Sequence, residues 1–164
     1  MVFHHTPITR LHIVPMSAEH AVGWRSLWRM NVGDALDKAV VDHTEKLILD
    51  PHSSLFALLA TTETNEVIAL LHGVVHPVAG SMHPVCYMQD LFVHPARRRQ
   101  GVATRLMEAL SAKGRVEKWD RIYWLTDKNN IDAQALYSNN AITLDFTFHI
   151  VPIGMLDRLK ETNT

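Results

Sequence analysis

The sequence predicts an α/β fold of the mixed (α+β) kind, a twisted mixed sheet of about six to seven strands flanked by helices. Three observations predict it. Short runs of apolar residues dominate the first half, strand-like and helix-like periods alternate through the second, and one strand passes through a basic turn straight into an amphipathic helix. With 164 residues, 47% of them hydrophobic, the chain has the size for one core, so a single domain over residues 1–164 is expected.

Ile8, Arg10 and His12 alternate with Thr9, Leu11 and Ile13, which predicts a first strand that Pro15 and Ser17 end. A helix is expected from Ala18 to Asn31, because Ala21, Trp24, Leu27 and Trp28 recur at helical spacing. A second, around Val41 to Leu49, follows Asp34 and Asp37 and stops at Pro51. Leu55 to Ala60 and Val67 to Val75 read as strands joined in hairpin fashion by the turn at Thr62 to Glu66. Val85 to Val93 is a further strand, ending at Pro95. Past the basic loop Ala96 to Gln100, the apolar positions Val102, Leu106, Ala109 and Leu110 mark a helix that Gly114 terminates. Ile122 to Thr126 reads as a buried strand, Asn130 to Ser138 as a helix and Phe146 to Val151 as a closing strand. The order implies an antiparallel meander followed by a βαβ unit in which Val85–Val93 and Ile122–Thr126 run parallel.

Bulk properties exclude several function classes. Sixteen Lys and Arg against seventeen Asp and Glu leave a formal net charge of −1, so no overall field draws the chain to nucleic acid or acidic membranes. Cys86 is the one cysteine, which rules out an internal disulfide framework. The start of the chain lacks the pattern of a secretory signal, and the apolar run Val67 to Val75 is interrupted by His72 and Gly73 and falls short of a bilayer span. A cytoplasmic protein is expected.

The most informative segment is Leu91-Phe92-Val93-His94-Pro95-Ala96-Arg97-Arg98-Arg99-Gln100-Gly101-Val102-Ala103-Thr104. A helix that begins near Gln100 leaves its first backbone N–H groups without partners, and the helix dipole adds partial positive charge there. Gly101 lets a ligand approach the backbone without meeting a Cβ, Ala103 keeps the next turn narrow, and Arg97, Arg98 and Arg99 add mobile positive charge. A pyrophosphate suits such a place. The segment lacks the Gly-x-x-x-x-Gly-Lys-Ser/Thr pattern of an NTPase loop and the three glycines of a dinucleotide fingerprint, so ATP and NAD are poor candidates.

Arg98-x-x-Gly101-x-Ala103, following Asp90-Leu91-Phe92-Val93, resembles the Arg/Gln-x-x-Gly-x-Gly/Ala motif of the GNAT superfamily of acetyl-CoA-dependent N-acetyltransferases. Tyr123-Trp124-Leu125-Thr126 and Asn130-x-x-Ala133-x-x-Leu136-Tyr137 resemble the next strand and helix of that family, in the right order. The phrasing Tyr87-Met88-Gln89-Asp90-Leu91-Phe92-Val93 is most similar to the branch of polyamine, histone and D-amino-acid acetyltransferases. The resemblance implies a GNAT-like acyl-CoA N-acyltransferase fold, acetyl-CoA as co-substrate without a metal, direct attack of a primary amine on the thioester, and a homodimer. It places the pantetheine arm on Leu91, Phe92 and Val93, the pyrophosphate on Arg98, Arg99, Gln100, Gly101, Val102, Ala103 and Thr104, and further cofactor contacts on Asn130 and Ala133. Tyr137 matches the tyrosine that protonates the departing thiolate.

The general base is left open. Where related polyamine enzymes carry a glutamate this chain has Gln89, which takes no proton, and on a regular strand Gln89 and Asp90 point to opposite faces. His72, His76, a water or a carboxylate of the first helices are candidates. Other signals have ordinary readings beside functional ones. His72, His76, His83 and His94 form no compact metal-ligand motif. Trp24 and Trp28, one helical turn apart, are either core or the wall of a cationic-amine pocket. Asp34, Asp37 and Asp42 either attract an amine or cap a helix. Cys86 in an apolar strand reads as inert core more readily than as a nucleophile. Asp145, before Phe146, stands where the family carries glycine. Two rival functions remain at this level, a non-catalytic acyl-CoA-binding module and a histidine-metal hydrolase.

Overall fold

The computed structural model describes residues 10–33, 36–138, 141–145 and 147–150. It contains two compact units, Met1–Leu125 and Thr126–Thr164.

In the first unit, β1 (His12–Pro15), β2 (Leu55–Thr61), β3 (Val67–His76), β4 (Val85–Val93) and β5 (Ile122–Tyr123) form a mixed sheet of five strands in that spatial order. The first four pair antiparallel and β5 runs parallel to β4. The meander and the βαβ unit are therefore as the sequence predicts. Among the described residues the sheet has five strands where about six to seven are expected, and two differences of bounds have local causes. The first strand begins at His12, because β2 ends opposite it at Thr61 and offers no partner further on, while Ile8 and Thr9 lie outside the described residues. Pro15 closes this strand without loss because β1 is at the sheet edge. The strand expected at Ile122 to Thr126 stops at Tyr123, where β5 leaves β4. Of the strand expected at Phe146 to Val151, both end residues lie outside the described residues, and residues 147–150 carry no strand.

Helices cover both faces. A 3-10 turn at Ala18–His20 leads into α1 (Ala21–Val32). α2 (Lys38–Leu49) starts at Asp37, whose carboxylate accepts from the Ala39 N–H at 3.0 Å, so Asp37 is a cap. Trp24, Leu27 and Trp28 of α1 and Val41 and Ile48 of α2 bury against Ala57 and Leu59 of β2 and Leu70 of β3. Arg25 ties the two helices together by ion pairs of 2.5 Å to Asp42 and 2.5 Å to Glu45, which removes Asp42 as a docking point for an amine.

On a strand, neighbouring side chains point to opposite faces, so Phe56, beside Ala57, points away from α1 and α2. There it meets Trp119, ring centroids 6.0 Å apart, and the ammonium of Lys113 from α3 (Val102–Val116) lies 5.1 Å over its ring. Gly114 does not terminate this helix, which continues to Val116. A Cβ on Gly114 would stand 2.8 Å from a ring carbon of Trp119, so the glycine is a seat for that indole. The helix ends where Lys118 turns left-handed at φ 56 and the Trp119 N–H reaches back to the Gly114 carbonyl at 2.9 Å.

The second unit holds α4 (Ile131–Ser138). The Asn130 side-chain oxygen accepts from the Ala133 N–H at 3.2 Å, capping that helix.

Candidate active site

The sheet opens along one edge of β4. β4 pairs with β3 along its whole length, from Val85 to Val93, but with β5 only at Cys86 and Tyr87. From Met88 onward the other edge of β4 has no strand partner among the described residues. Leu91, Phe92 and Val93, on which the family resemblance places the pantetheine arm, lie on this open stretch. Phe92 packs against the core cluster of α1 and α2, and the Val93 carbonyl accepts from Nε of Arg98 at 3.2 Å.

One feature of β4 was not legible in the sequence. His72 pairs with Asp90 and Gly73 with Met88, so Gln89 is an extra residue, a β-bulge. The strict alternation expected of Gln89 and Asp90 is broken here. Tyr87, opposite Val74, and Asp90, opposite His72, share one face although they are three positions apart in sequence. Gln89 itself is exposed.

After β4, a 3-10 turn at Pro95–Arg97 is capped by the His94 ring nitrogen, which accepts from the Ala96 N–H at 3.2 Å. Arg99 adopts φ 60 and Gly101 φ 74, both left-handed. An L-residue in that region costs about 1–2 kcal/mol, a strain that accumulates at working sites. Gly101 is the N-cap of α3, makes no side-chain cap, and has nothing within 4 Å of the position a Cβ would take. The first intrahelical bond runs from the Arg105 N–H to the Gly101 carbonyl at 3.1 Å. The helix thus starts at Val102, two residues later than expected, and the N–H groups of Gly101, Val102, Ala103 and Thr104 have no intrahelical acceptor. Beside them the side-chain nitrogen of Gln100 is buried with no hydrogen-bond partner. An anion of several oxygens would satisfy this collection of donors, so the residues present fit a diphosphate. The arginines are less mobile than expected. Arg97 lies 3.6 Å from Glu66, and Arg98 is held by Val93 and stacks 5.6 Å from the Phe92 ring centre.

The histidine candidates are engaged. The indole N–H of Trp24 donates to Nε2 of His72 at 2.8 Å. Indole is only a donor, so Nε2 is the accepting nitrogen, the proton sits on Nδ1, and it is donated to Asp90 at 2.9 Å. His72, 2% exposed, has no lone pair left with which to accept a proton. Trp24 and Trp28 stack at 5.1 Å in this buried group and belong to the core. Asn31 donates to the other oxygen of Asp90 at 3.0 Å. Along the same face His76 meets the Tyr123 hydroxyl at 2.9 Å, and the rings of Tyr87 and Tyr123 lie 5.2 Å apart. Burial, then the charges of Tyr123 and Asp90, keep the Tyr87 phenol above the usual tyrosine range. Burial pushes the Cys86 thiol up to about 11, so it stays protonated near neutral pH and is a poor nucleophile. No group of three or more His, Cys, Asp or Glu side chains suited to a metal occurs among the described residues.

In the second unit, Tyr137 and Ala133 lie on α4 and Asn130 caps it. Burial raises the Tyr137 phenol above its ordinary range, against a hydrogen bond from the Thr126 side chain that pulls it down. The phenol therefore keeps its proton near neutral pH, and the shift by itself makes it a weaker acid than a free tyrosine.

A sequence model described as the acetyltransferase (GNAT) family matches residues 21–140. A D-amino-acid N-acetyltransferase of Saccharomyces cerevisiae is 29% identical over 140 residues, covering 83% of this chain and 87% of its own length. An aminoglycoside N(6')-acetyltransferase type 1 of Acinetobacter baumannii is 29% identical over 120 residues, 71% of this chain and 76% of its own. Among solved structures, an aminoglycoside N-acetyltransferase in complex with CoA superposes with a TM-score of 0.75 at 20% identity, over 88% of this chain and 95% of its own. A ribosomal-protein-alanine N-acetyltransferase of Brucella melitensis biovar Abortus gives 0.74 at 16% identity, over 88% of this chain and 100% of its own. At these identities the structures speak for a shared fold.

Proposed function

The chain belongs to the acetyltransferase (GNAT) family, and on that premise we propose which of its residues hold acetyl-CoA and which handle the protons of the transfer. It is an acetyl-CoA-dependent N-acetyltransferase that moves an acetyl group to an amine. In our reading residues 1–164 act as one domain. The diphosphate of acetyl-CoA lies on the N–H groups of Gly101, Val102, Ala103 and Thr104, with Gln100 donating from its buried amide and Arg98 and Arg99 supplying charge. The pantetheine arm adds to the open edge at Leu91, Phe92 and Val93 as a strand would, and the cofactor contacts of Asn130 and Ala133 rest on the family resemblance alone.

The observation that carries this reading is the coincidence, within one strand–turn–helix segment, of a strand edge with no strand partner among the described residues and a helix start whose amides have no intrahelical acceptor. Such a pair accepts one ligand that is amide-like at one end and anionic at the other.

The thioester supplies an activated acetyl carbon. The amine must reach it without its proton, and because Gln89 is not basic and His72 is fully engaged, a water at the open edge or His76 receives that proton. Tyr137 then protonates the departing thiolate. The same reading makes the protein a cytoplasmic homodimer, as the family resemblance implies. Among the described residues no helix is long and apolar enough to cross a membrane.

Titration calorimetry with CoA, together with thiol release from acetyl-CoA over an amine panel, tests the reading. We expect CoA uptake and acceptor-dependent thiol release, with Tyr137→Phe lowering kcat by about 10²-fold and leaving KM for acetyl-CoA nearly unchanged. Uptake without any acceptor-dependent release would instead support an acyl-CoA-binding module, and Tyr137→Phe at full turnover would remove Tyr137 from the acid role.

A further inference from the structure

The bulge at Gln89 brings a carboxylate and an aromatic cluster onto one face of the sheet, beside the strand edge assigned above to the thioester. Asp90 and His72 form a cross-strand pair, Tyr87 and Val74 form the next on that face, and His76 follows two positions along β3. Tyr123 stands beside Tyr87 across the parallel pair. The rings of Tyr87 and Tyr123 are 5.2 Å apart, His76 crosses Tyr123 edge-on at 5.9 Å, and Tyr123 is 38% exposed. At strand spacings the patch runs about 7 Å from Asp90 to the level of Tyr87 and Tyr123 and about 13 Å to that of His76, room for a small amine.

The charge of Asp90 decides what this patch attracts. Its two oxygens are hydrogen-bonded, one to the Asn31 amide at 3.0 Å and the other to His72 at 2.9 Å. Both donors are neutral, since the Trp24 indole donates to His72 Nε2 and so fixes the ring as the uncharged Nδ1–H form. The carboxylate is therefore held in place without being neutralised. Its side chain is 16% exposed, at low dielectric and beside electron-rich ring faces. Such a place draws a cation by charge and by cation–π attraction, and repels an anion.

We propose that Asp90, Tyr87, Tyr123 and His76 form the acceptor site, and that they select a cationic amine with no carboxylate next to the reacting nitrogen. This rests on the β4 edge being the transfer site. An α-amino acid would bring its own carboxylate toward Asp90, and the groups that meet in this patch among the described residues, a carboxylate, two phenols and an imidazole, include no fixed positive charge to answer with. The chain thus differs in acceptor class from what the name of its yeast relative states for that protein.

Matched pairs that differ only in the carboxylate beside the single amine, tyramine against tyrosine and propylamine against 2-aminobutyric acid, test this with the full chain. Each is titrated calorimetrically into protein with and without saturating CoA, and each is assayed by thiol release. We expect the decarboxylated member to bind, and to react at subsaturating concentration, about ten-fold better. Asp90→Asn should bring the ratio to about one while KM for acetyl-CoA stays put. Tyr123→Leu, at an exposed position that folding tolerates, should weaken the amines about three-fold. The proposal is overturned by equal binding within the pairs, by preference for the amino acid, or by an unchanged ratio in a folded Asp90→Asn. Should that variant unfold, an unchanged amine affinity in Tyr123→Leu overturns it alone. Absence of CoA uptake would count against the transferase assignment of residues, whereas the CoA-free amine titrations would still decide this one.

Discussion

Two substitutions at Gly101 should disagree in stability and agree in CoA affinity. The residue sits at φ 74, ψ 6 with open space around the missing Cβ. Alanine there meets no neighbour but takes on left-handed backbone strain of about 1–2 kcal/mol. For a chain of this size that lowers Tm by about 2–8 °C, at 2–4 °C per kcal/mol. Asparagine tolerates the left-handed region and should lose less than alanine. Either side chain, however, projects into the space where a diphosphate oxygen must come within about 2.9 Å of the helix-start amides. Losing one charge-assisted hydrogen bond of about 1.5–3 kcal/mol weakens CoA by about 10- to 150-fold. Thermal melts give the first quantity and calorimetry with CoA the second. If Gly101→Asn melts near the parent and binds CoA within about two-fold of it, the ligand does not lie over Gly101 and the reasoning fails.

Other expectations follow from packing and titration. A Cβ at Gly73 would stand 2.4 Å from the Phe56 ring, so Gly73→Ala should cost about 1–3 kcal/mol of stability in denaturant melts, and adding Phe56→Leu should recover part of it. A second change that recovers nothing would mean the glycine is needed for its backbone and not for room. Cys86 is 0% exposed with its thiol held up at about 11, so alkylation at pH 7 should be slow in the native protein and fast in denaturant. Mass spectrometry after incubation with acetyl-CoA should find no acetyl-cysteine, and its appearance would revive a covalent route.

The parts of the fold carried by a repeating pattern were readable from the residues. β4 has the bounds Val85–Val93 that its apolar run indicates, and α3 follows from Val102, Leu106 and Leu110, all buried. What escaped depends on partners far along the chain. Gly114 looks like a helix stop in isolation, and only the indole of Trp119 reveals it as a packing site. Ile122 to Thr126 is apolar enough for a longer strand, but its length is set by where β4 and β5 part. The bulge has no residue signature of its own, since Gln-Asp in a strand reads the same with or without it, and so Tyr87 and Asp90 were not joined as neighbours. The helix-start amides were legible because a glycine after a strand and a basic turn has few other uses, whereas the tethering of Arg97 and Arg98 rests on Glu66 and on the Val93 carbonyl.

A strand that carries one surplus residue is out of phase with itself. Tyr87 ahead of Gln89 and Asp90 behind it turn their side chains to the proposed acceptor surface, while Leu91 to Val93 offer main-chain groups, which every sequence possesses. Side chains can therefore change, and with them the choice of amine, while the main chain keeps its hold on the thioester; deletion of Gln89 would leave Tyr87 and Asp90 on one face, whereas a regular strand that kept it would turn them to opposite faces.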